Sequence, residues 1–357
     1  MIKLLYITNG ISGIGGLERV LSIKASYFAD YLGYEVHIIS LNDKADSPFY
    51  TFSSQIIFHE VKTTGKGLAY FSSYIQGMNR IVREVRPDII SVCDDGLKGL
   101  YVPLWIKKGR AAIIYERHAS MRLTGGKLTQ KLMALGGYLY DKVVVLTHYN
   151  LSEWSSSNLE VIPNPLSFVP QQVSPLNQKK AICVGSISYN KGYDLLINAW
   201  EQVATKHPDW TVSIYGKGDT SQLQKLIDQK GLTKQIVFCG PTSQIQEKYL
   251  ESSFLILPSR SEGFGMVLIE AMTCGLPCIS FDCPCGPRDI IENGKNGYLV
   301  EPENINQLAV EINQIIERAD LRKNMGIYAK ESVKKYQIKE IAFYWDKLFK
   351  HFKFAMR

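Results

Sequence analysis

Residues 259–271 read Ser259-Arg260-Ser261-Glu262-Gly263-Phe264-Gly265-Met266-Val267-Leu268-Ile269-Glu270-Ala271. They follow an apolar run at 254–257 and Pro258, so a buried strand ends here in a glycine-containing turn and a helix opens near Met266. Gly263 and Gly265 allow the backbone to come close to a ligand. The helix N-terminus offers N–H groups and the positive end of its dipole to a phosphate. Glu262, in the turn, is placed to accept hydrogen bonds from sugar hydroxyls, and Glu270, little more than a turn into the helix, to reach a ribose diol. The plain alternative is a helix with acidic residues near its start, which the macrodipole favours in any case.

Working outward, the chain alternates strand-like and helix-like stretches. Strands are expected at 2–8, 35–41, 88–93, 111–115 and 142–146, with a helical stripe of Leu17, Leu21, Ala25, Phe28 and Leu32 closed by Gly33. Residues 161–163 end this half, and 164–180 are polar and proline-containing, as suits a linker. The alternation restarts with strands at 181–184, 210–215, 235–239, 254–257 and 277–281. Repeated βα units imply parallel sheets, hence an α/β fold of two doubly wound, Rossmann-like halves with ligands at the carboxyl ends of the strands, in a cleft between them. The expected division is a first domain over 1–163, a second over 164–337, and a C-terminal segment over 338–357. That last segment opens as a basic-aromatic helix expected to cross back to the first domain.

Composition narrows the function classes. The 357 residues exceed one ordinary core, and 45% apolar with 21% charged residues is usual for a soluble globular chain. No run of about 18 apolar residues suggests a spanning helix, and the first strand is broken too early, at Asn9-Gly10, for a secretory signal. A cytoplasmic protein is therefore expected. The net charge of +7 favours an anionic partner, and no motif supports nucleic acid. Cys274, Cys278, Cys283 and Cys285 crowd twelve positions, but their spacing is not that of a zinc site; together with Cys93, Cys183 and Cys239 they read as buried or incidental thiols. Glycines 10, 13, 15 and 16 after the first strand do not form G-x-G-x-x-G, since Glu18 takes the last glycine's place. Beyond the second strand the acidic residue is Asp43. A nicotinamide-dependent dehydrogenase is thus disfavoured.

The larger pattern resembles the retaining glycosyltransferases of family 4, which have the GT-B fold. Their E-x7-E motif matches Glu262 through Glu270, continued by Ala271-Met272 and Gly275-Leu276-Pro277-Cys278-Ile279. Val161-Ile162-Pro163-Asn164, Lys191-Gly192-Tyr193-Asp194-Leu195-Leu196, Tyr215-Gly216-Lys217-Gly218 and Val237-Phe238-Cys239-Gly240 also agree, as does Gly15-Gly16-Leu17-Glu18-Arg19 in the first loop and helix. The resemblance implies that Glu262 holds donor-sugar hydroxyls and Glu270 the nucleotide ribose. It implies backbone contacts from Gly263, Phe264 and Gly265, and a diphosphate held by Lys191. Gly15, Gly16, Gly185 and Ser186 would line the donor site, and His118, in Tyr115-Glu116-Arg117-His118, would stand beside the reacting sugar and acceptor. A lone histidine at a strand end also has a structural reading, and Glu116 and Arg117 one of local pairing. One departure is Ser186, where the family usually has arginine; Lys191 would then act alone, or Arg260 or Arg288 would supply the missing charge. Asp289 stands where glutamate is commoner.

What the resemblance implies is transfer of a hexose or N-acetylhexosamine from a nucleotide diphosphate sugar, UDP-linked by preference, with retention. The acceptor would be a glycan or a lipid-linked glycan. The stretch from Cys283 to Ile291 resembles a subgroup in bacterial surface polysaccharide assembly. No cofactor is expected, and with no Asp-x-Asp, no catalytic metal. A UDP-sugar epimerase of the same architecture, or a degenerate sugar-nucleotide-binding protein, are the alternatives. Finally, Lys107, Lys108, Arg110, Arg117, Arg122, Lys127 and Lys131 accompany Leu128, Leu132, Leu135 and Leu139 at helical spacing, beside Met133 and Tyr138. A basic rim on an apolar face suggests peripheral contact with the inner face of a plasma membrane; the plain alternative is that the leucines pack inside the first domain while the lysines solvate its surface.

Overall fold

The apolar runs become parallel strands in the computed structural model, which describes residues 1–13, 15–41, 48–94, 96–121 and 125–355. Asp43 and Arg122 lie outside the described residues. The chain divides into two units. The first comprises Met1–Ser167 with Ile338–Arg357, and the second Phe168–Gln337. The first unit thus runs past 163 before the chain leaves it.

Among the described residues the first unit holds β1 (Lys3–Thr8), β2 (Glu35–Ser40), β3 (Ile57–Glu60), β4 (Ile89–Cys93), β5 (Ala112–Glu116), β6 (Lys142–Val145) and β7 (Leu159–Val161), in the order β3-β2-β1-β4-β5-β6-β7. β1 pairs with β2 on one side and β4 on the other, so the order reverses between β1 and β4. The second unit holds β8 (Lys180–Val184), β9 (Thr211–Tyr215), β10 (Ile236–Gly240), β11 (Phe254–Leu257), β12 (Cys278–Phe281) and β13 (Gly297–Val300), ordered β10-β9-β8-β11-β12-β13, with the reversal between β8 and β11. The central strands are buried on both faces, which is why they read as continuous apolar runs. β3, β7 and β13 were not expected from the sequence. All three are short edge strands: β3 is mostly exposed, β7 and β13 are only partly buried, and none carries such a run.

Helices cover the sheets where their apolar stripes demand burial. The helix Gly16–Leu32 ends at Gly33, whose left-handed backbone returns its N–H to the Phe28 carbonyl. The C-terminal helix Ile338–Ala355 packs on it: Phe349 meets Phe28 edge-on at 5.6 Å, and the Tyr34 hydroxyl donates to Asp346 at 2.7 Å. Lys353 pairs with Asp88. The second unit packs Trp200, Trp210, Phe254 and Phe281 between its sheet and helices. All seven cysteines are free thiols, buried except for Cys239. No helix among the described residues is long and apolar enough to cross a membrane.

Candidate functional site

The reversal between β8 and β11 opens a crevice beyond their carboxyl ends, because the segments leaving neighbouring strands turn in opposite directions. The β8 exit carries Gly185 and Ser186, then a tight turn Tyr189–Lys191 and the helix Tyr193–Lys206. The β11 exit carries residues 258–265 and then the helix Met266–Thr273.

Gly192 fits the two exits together. Its φ is +65°, and a Cβ there would stand 2.0 Å from the Pro258 carbonyl oxygen, so only glycine lets the Lys191 turn lie against the β11 exit. The contact is pinned by the Asn190 side-chain amide donating to the Ser261 carbonyl at 2.7 Å and by the Arg260 N–H donating to the Asn190 carbonyl at 2.8 Å. Lys191 thereby reaches Glu262: its Nζ donates to Oε1 at 2.6 Å, with the side chains only 19% and 9% exposed. The lysine stem runs over Gly185, whose carbonyl accepts from the Tyr193 hydroxyl at 3.1 Å.

From the other side, residues 283–287 brace the 262–265 turn. The Glu262 N–H donates to the Pro284 carbonyl at 3.4 Å, and Gly286, at φ +115°, would place a Cβ 1.9 Å from the Phe264 carbonyl oxygen. The Cys283 thiol is pushed up by burial first and by the nearby Glu262 charge second, so it stays neutral. No side chain caps the helix Met266–Thr273, whose N-cap is Gly265. Four residues into that helix, Glu270 is buried, and one of its oxygens accepts from the Tyr249 hydroxyl at 3.2 Å. A lysine, a carboxylate beside it and a helix N-terminus are together groups that can receive a phosphate-linked polyhydroxylated ligand.

The substitutes suggested for the missing arginine are otherwise engaged. Arg260 grips Asp194 with both terminal nitrogens, at 2.9 and 2.7 Å, and stacks on the Tyr189 ring at 3.9 Å; it fastens the Lys191 turn. Burial pushes the Asp194 carboxyl up, but Arg260 outweighs this and leaves it below its usual range. Arg288 binds Asp282 from the surface. Ser186 is exposed, its hydroxyl 3.4 Å from that of Ser188. Lys191 is therefore the cation that this crevice offers Glu262.

Two family models match the chain: "Glycosyltransferase Family 4" over residues 14–167 and "Glycosyl transferases group 1" over 167–332. The chain belongs to glycosyltransferase family 4. It is 29% identical over 357 residues to an uncharacterized glycosyltransferase of Haemophilus influenzae, covering 97% of this chain and 99% of that one. It is 29% identical to the amylovoran biosynthesis glycosyltransferase AmsD of Erwinia amylovora, covering 91% and 93%. Its fold matches a crystal structure of S. aureus TarM holding fondaparinux, alpha-GlcNAc-glycerol and UDP, with a TM-score of 0.83, 17% identity, and coverage of 98% and 100%. The fold is GT-B.

The remaining residues expected at the glycosyltransferase's site stand in the first unit. Gly15 caps the helix Gly16–Leu32 at the exit of β1, and the Glu18 carboxylate folds against Gly13 and Gly15. His118 follows β5, with its Nε2 at 3.4 Å from Glu116 Oε2. Glu116 is fully buried, pairs with the ammonium of Lys24, and accepts from the Ser91 hydroxyl. Burial pushes the Glu116 carboxyl up; Lys24 and His118 outweigh that and hold it down at about 2. Lys24 in turn lies 4.0 Å above the Trp345 ring. A hollow of about 10 Å³, room for roughly one water, separates these groups from Asn164 and Pro165. Cys93 joins Glu116 and His118 within 4.8 Å, but both oxygens of the carboxylate are engaged, one by Lys24 and the other by Ser91. Neither the Lys24–Glu116 pair nor the bracing role of 283–287 was foreseen, because each is a contact between residues far apart in sequence.

The expected basic rim divides. Arg117 is buried, and one of its terminal nitrogens donates to the Ser120 carbonyl at 3.2 Å. Met133 is buried and Leu139 packs on the core, since their side of the helix Lys127–Gly136 and of the turn after it faces the sheet. Leu128, Leu132, Leu135 and Tyr138 are exposed beside Lys127 and Lys131.

Proposed function

We propose that this glycosyltransferase moves a hexose or N-acetylhexosamine from a UDP-sugar to a glycan or lipid-linked acceptor in polysaccharide biosynthesis, with retention and without a metal. The observation that carries the reading is the Lys191–Glu262 pair, 2.6 Å apart at the mouth of the β8–β11 crevice and beside an uncapped helix N-terminus. In the donor complex Lys191 exchanges Glu262 for the diphosphate, whose negative charge grows as the anomeric C–O bond breaks. Glu262 is then released to accept hydrogen bonds from sugar hydroxyls, and Glu270 takes the ribose. The acceptor oxygen bonds to the anomeric carbon on the face the phosphate leaves, and its proton passes to the departing phosphate oxygen. His118 assists by binding the reacting sugar or acceptor. The UDP preference draws on TarM, whose crystal contains UDP, and the polysaccharide setting on AmsD.

The exposed leucines and lysines of the helix Lys127–Gly136 support peripheral binding to an anionic membrane, presenting a lipid-linked acceptor. The test of the activity is nucleotide release from UDP-, GDP- and ADP-sugars with and without acceptor, with the product's anomeric configuration read by NMR. UDP release that rises on adding acceptor, with a retained anomer, is expected. Binding without transfer would overturn the enzymatic reading, and an inverted anomer the retaining one.

A further inference from the structure

At the opposite end of the first sheet, beyond the amino-terminal ends of β4 and β5, lies a hollow of about 410 Å³ that the transfer reaction does not use. That is the volume of an ordinary small-ligand site, but the lining is polar and basic instead of apolar. It is formed by Asn79, Val82, Arg83, Arg86, Pro87, Asp88, and the turn Lys107–Arg110 before β5. Asn79 fixes the shape: its amide donates to the Trp105 carbonyl at 2.9 Å and its carbonyl accepts from the Lys107 N–H at 2.6 Å.

The charges in the hollow do not cancel. Asp88 is taken by Lys353, and Lys108 by Asp141 at 2.6 Å. Among the described residues, no hydrogen bond or ion pair engages the side chains of Arg83, Arg86, Lys107 and Arg110. Arg83 and Arg86 end the helix Leu68–Val85 and complement its dipole. That accounts for two of the four, while Lys107 and Arg110 come from another element and have no such partner. Arg86 moreover occupies a left-handed position, φ +53°, where glycine would be unstrained. Four like charges around one concavity repel each other in its absence of counter-charge and focus a positive potential into it.

We propose that this hollow is a second binding site, for a multiply charged phosphate-bearing anion, distinct from the donor crevice. The three arginines, Arg83 and Arg86 from the helix end and Arg110 from the turn, supply planar forks for phosphate oxygens, and Lys107 a point charge. The shared chemistry is the phosphate cluster, whether carried by a soluble compound or by a lipid headgroup.

Inorganic tripolyphosphate is the probe, titrated calorimetrically into the full-length enzyme at low salt with UDP present in saturating amount. Saturable binding is expected, unchanged by Lys191→Ala, and weakened at least tenfold by R86S combined with R110S, each charge-assisted bond being worth about tenfold or more. The pair Lys225→Ser with Lys234→Ser, exposed lysines of the second unit, controls for net charge and should bind as wild type. Thermal melts verify that each variant is folded. Absence of saturable binding, or equal affinity in the R86S/R110S variant, overturns the proposal, as does an equal loss in the control pair. Displacement of the probe by phosphatidylglycerol vesicles but not phosphatidylcholine vesicles would assign the phosphate to a lipid; displacement by neither would assign it to a soluble ligand.

Discussion

Replacing Glu116 by glutamine tests a charge pair buried on both sides. The carboxyl is held at about 2 in the folded chain against a usual 4.5. A depression of that size corresponds to about 3 kcal/mol of stability at neutral pH. Because the folded-state value is the lower one, this contribution is complete above pH 4.5 and drains away as pH falls from 4.5 towards 2. Removing the charge also strands the Lys24 ammonium, 2% exposed, against the Trp345 and Tyr6 rings. Breaking a buried pair in this way costs about 3–5 kcal/mol, in agreement with the first figure. Glu116→Gln is therefore expected to lower the melting temperature of the first unit by roughly 6–12 °C. Denaturant titrations between pH 7 and pH 3, followed by tryptophan fluorescence, should show wild type losing stability below pH 4.5 and the variant losing about 2 kcal/mol less by pH 3, where most of the linkage is gone. A variant within 1 kcal/mol of wild type at pH 7, on the order of the error of such titrations, or one with the same acid profile, would refute the assignment.

Gly286→Ala meets the Phe264 carbonyl at a strained φ, so donor affinity should fall at least tenfold (about 1.4 kcal/mol), with circular dichroism unchanged. Lys191→Ala should cut kcat by about a hundredfold or more, as for loss of one charge-stabilising group, and an undiminished rate would move the phosphate-binding charge elsewhere. Glu270→Ala should instead weaken UDP binding in calorimetry, and an unchanged Kd would remove the ribose assignment. Ser186→Arg should keep or tighten donor binding, because the β8 exit there is exposed and Ser186 itself supplies no charge. Leu128→Ser with Leu132→Ser should abolish flotation with anionic liposomes at low salt; unaltered flotation would detach the membrane contact from this helix.

The sequence by itself determined the fold class and most of the elements, since strands buried on both faces must be apolar throughout and helices must carry a stripe. It also drew attention to Glu262 and Glu270 through the glycine turn at 263 and 265, and to Lys191 through the resemblance to family 4. What it left undecided was pairing across distance. Nothing local says that Lys191 meets Glu262, 71 positions away, until β8 and β11 become neighbours at the sheet's reversal. Nothing local separates Arg260 as a fastener from Arg260 as a phosphate ligand, since that depends on Asp194 arriving from another helix. The same holds for Lys24 and Glu116, the second of which reads from the sequence as a local partner of Arg117, and which only the packing of helix on sheet encloses together. Edge strands, buried ion pairs and divided charge patches share one physical cause. Each is fixed by what the fold places opposite a residue, and the residue's own neighbours in sequence carry no record of it.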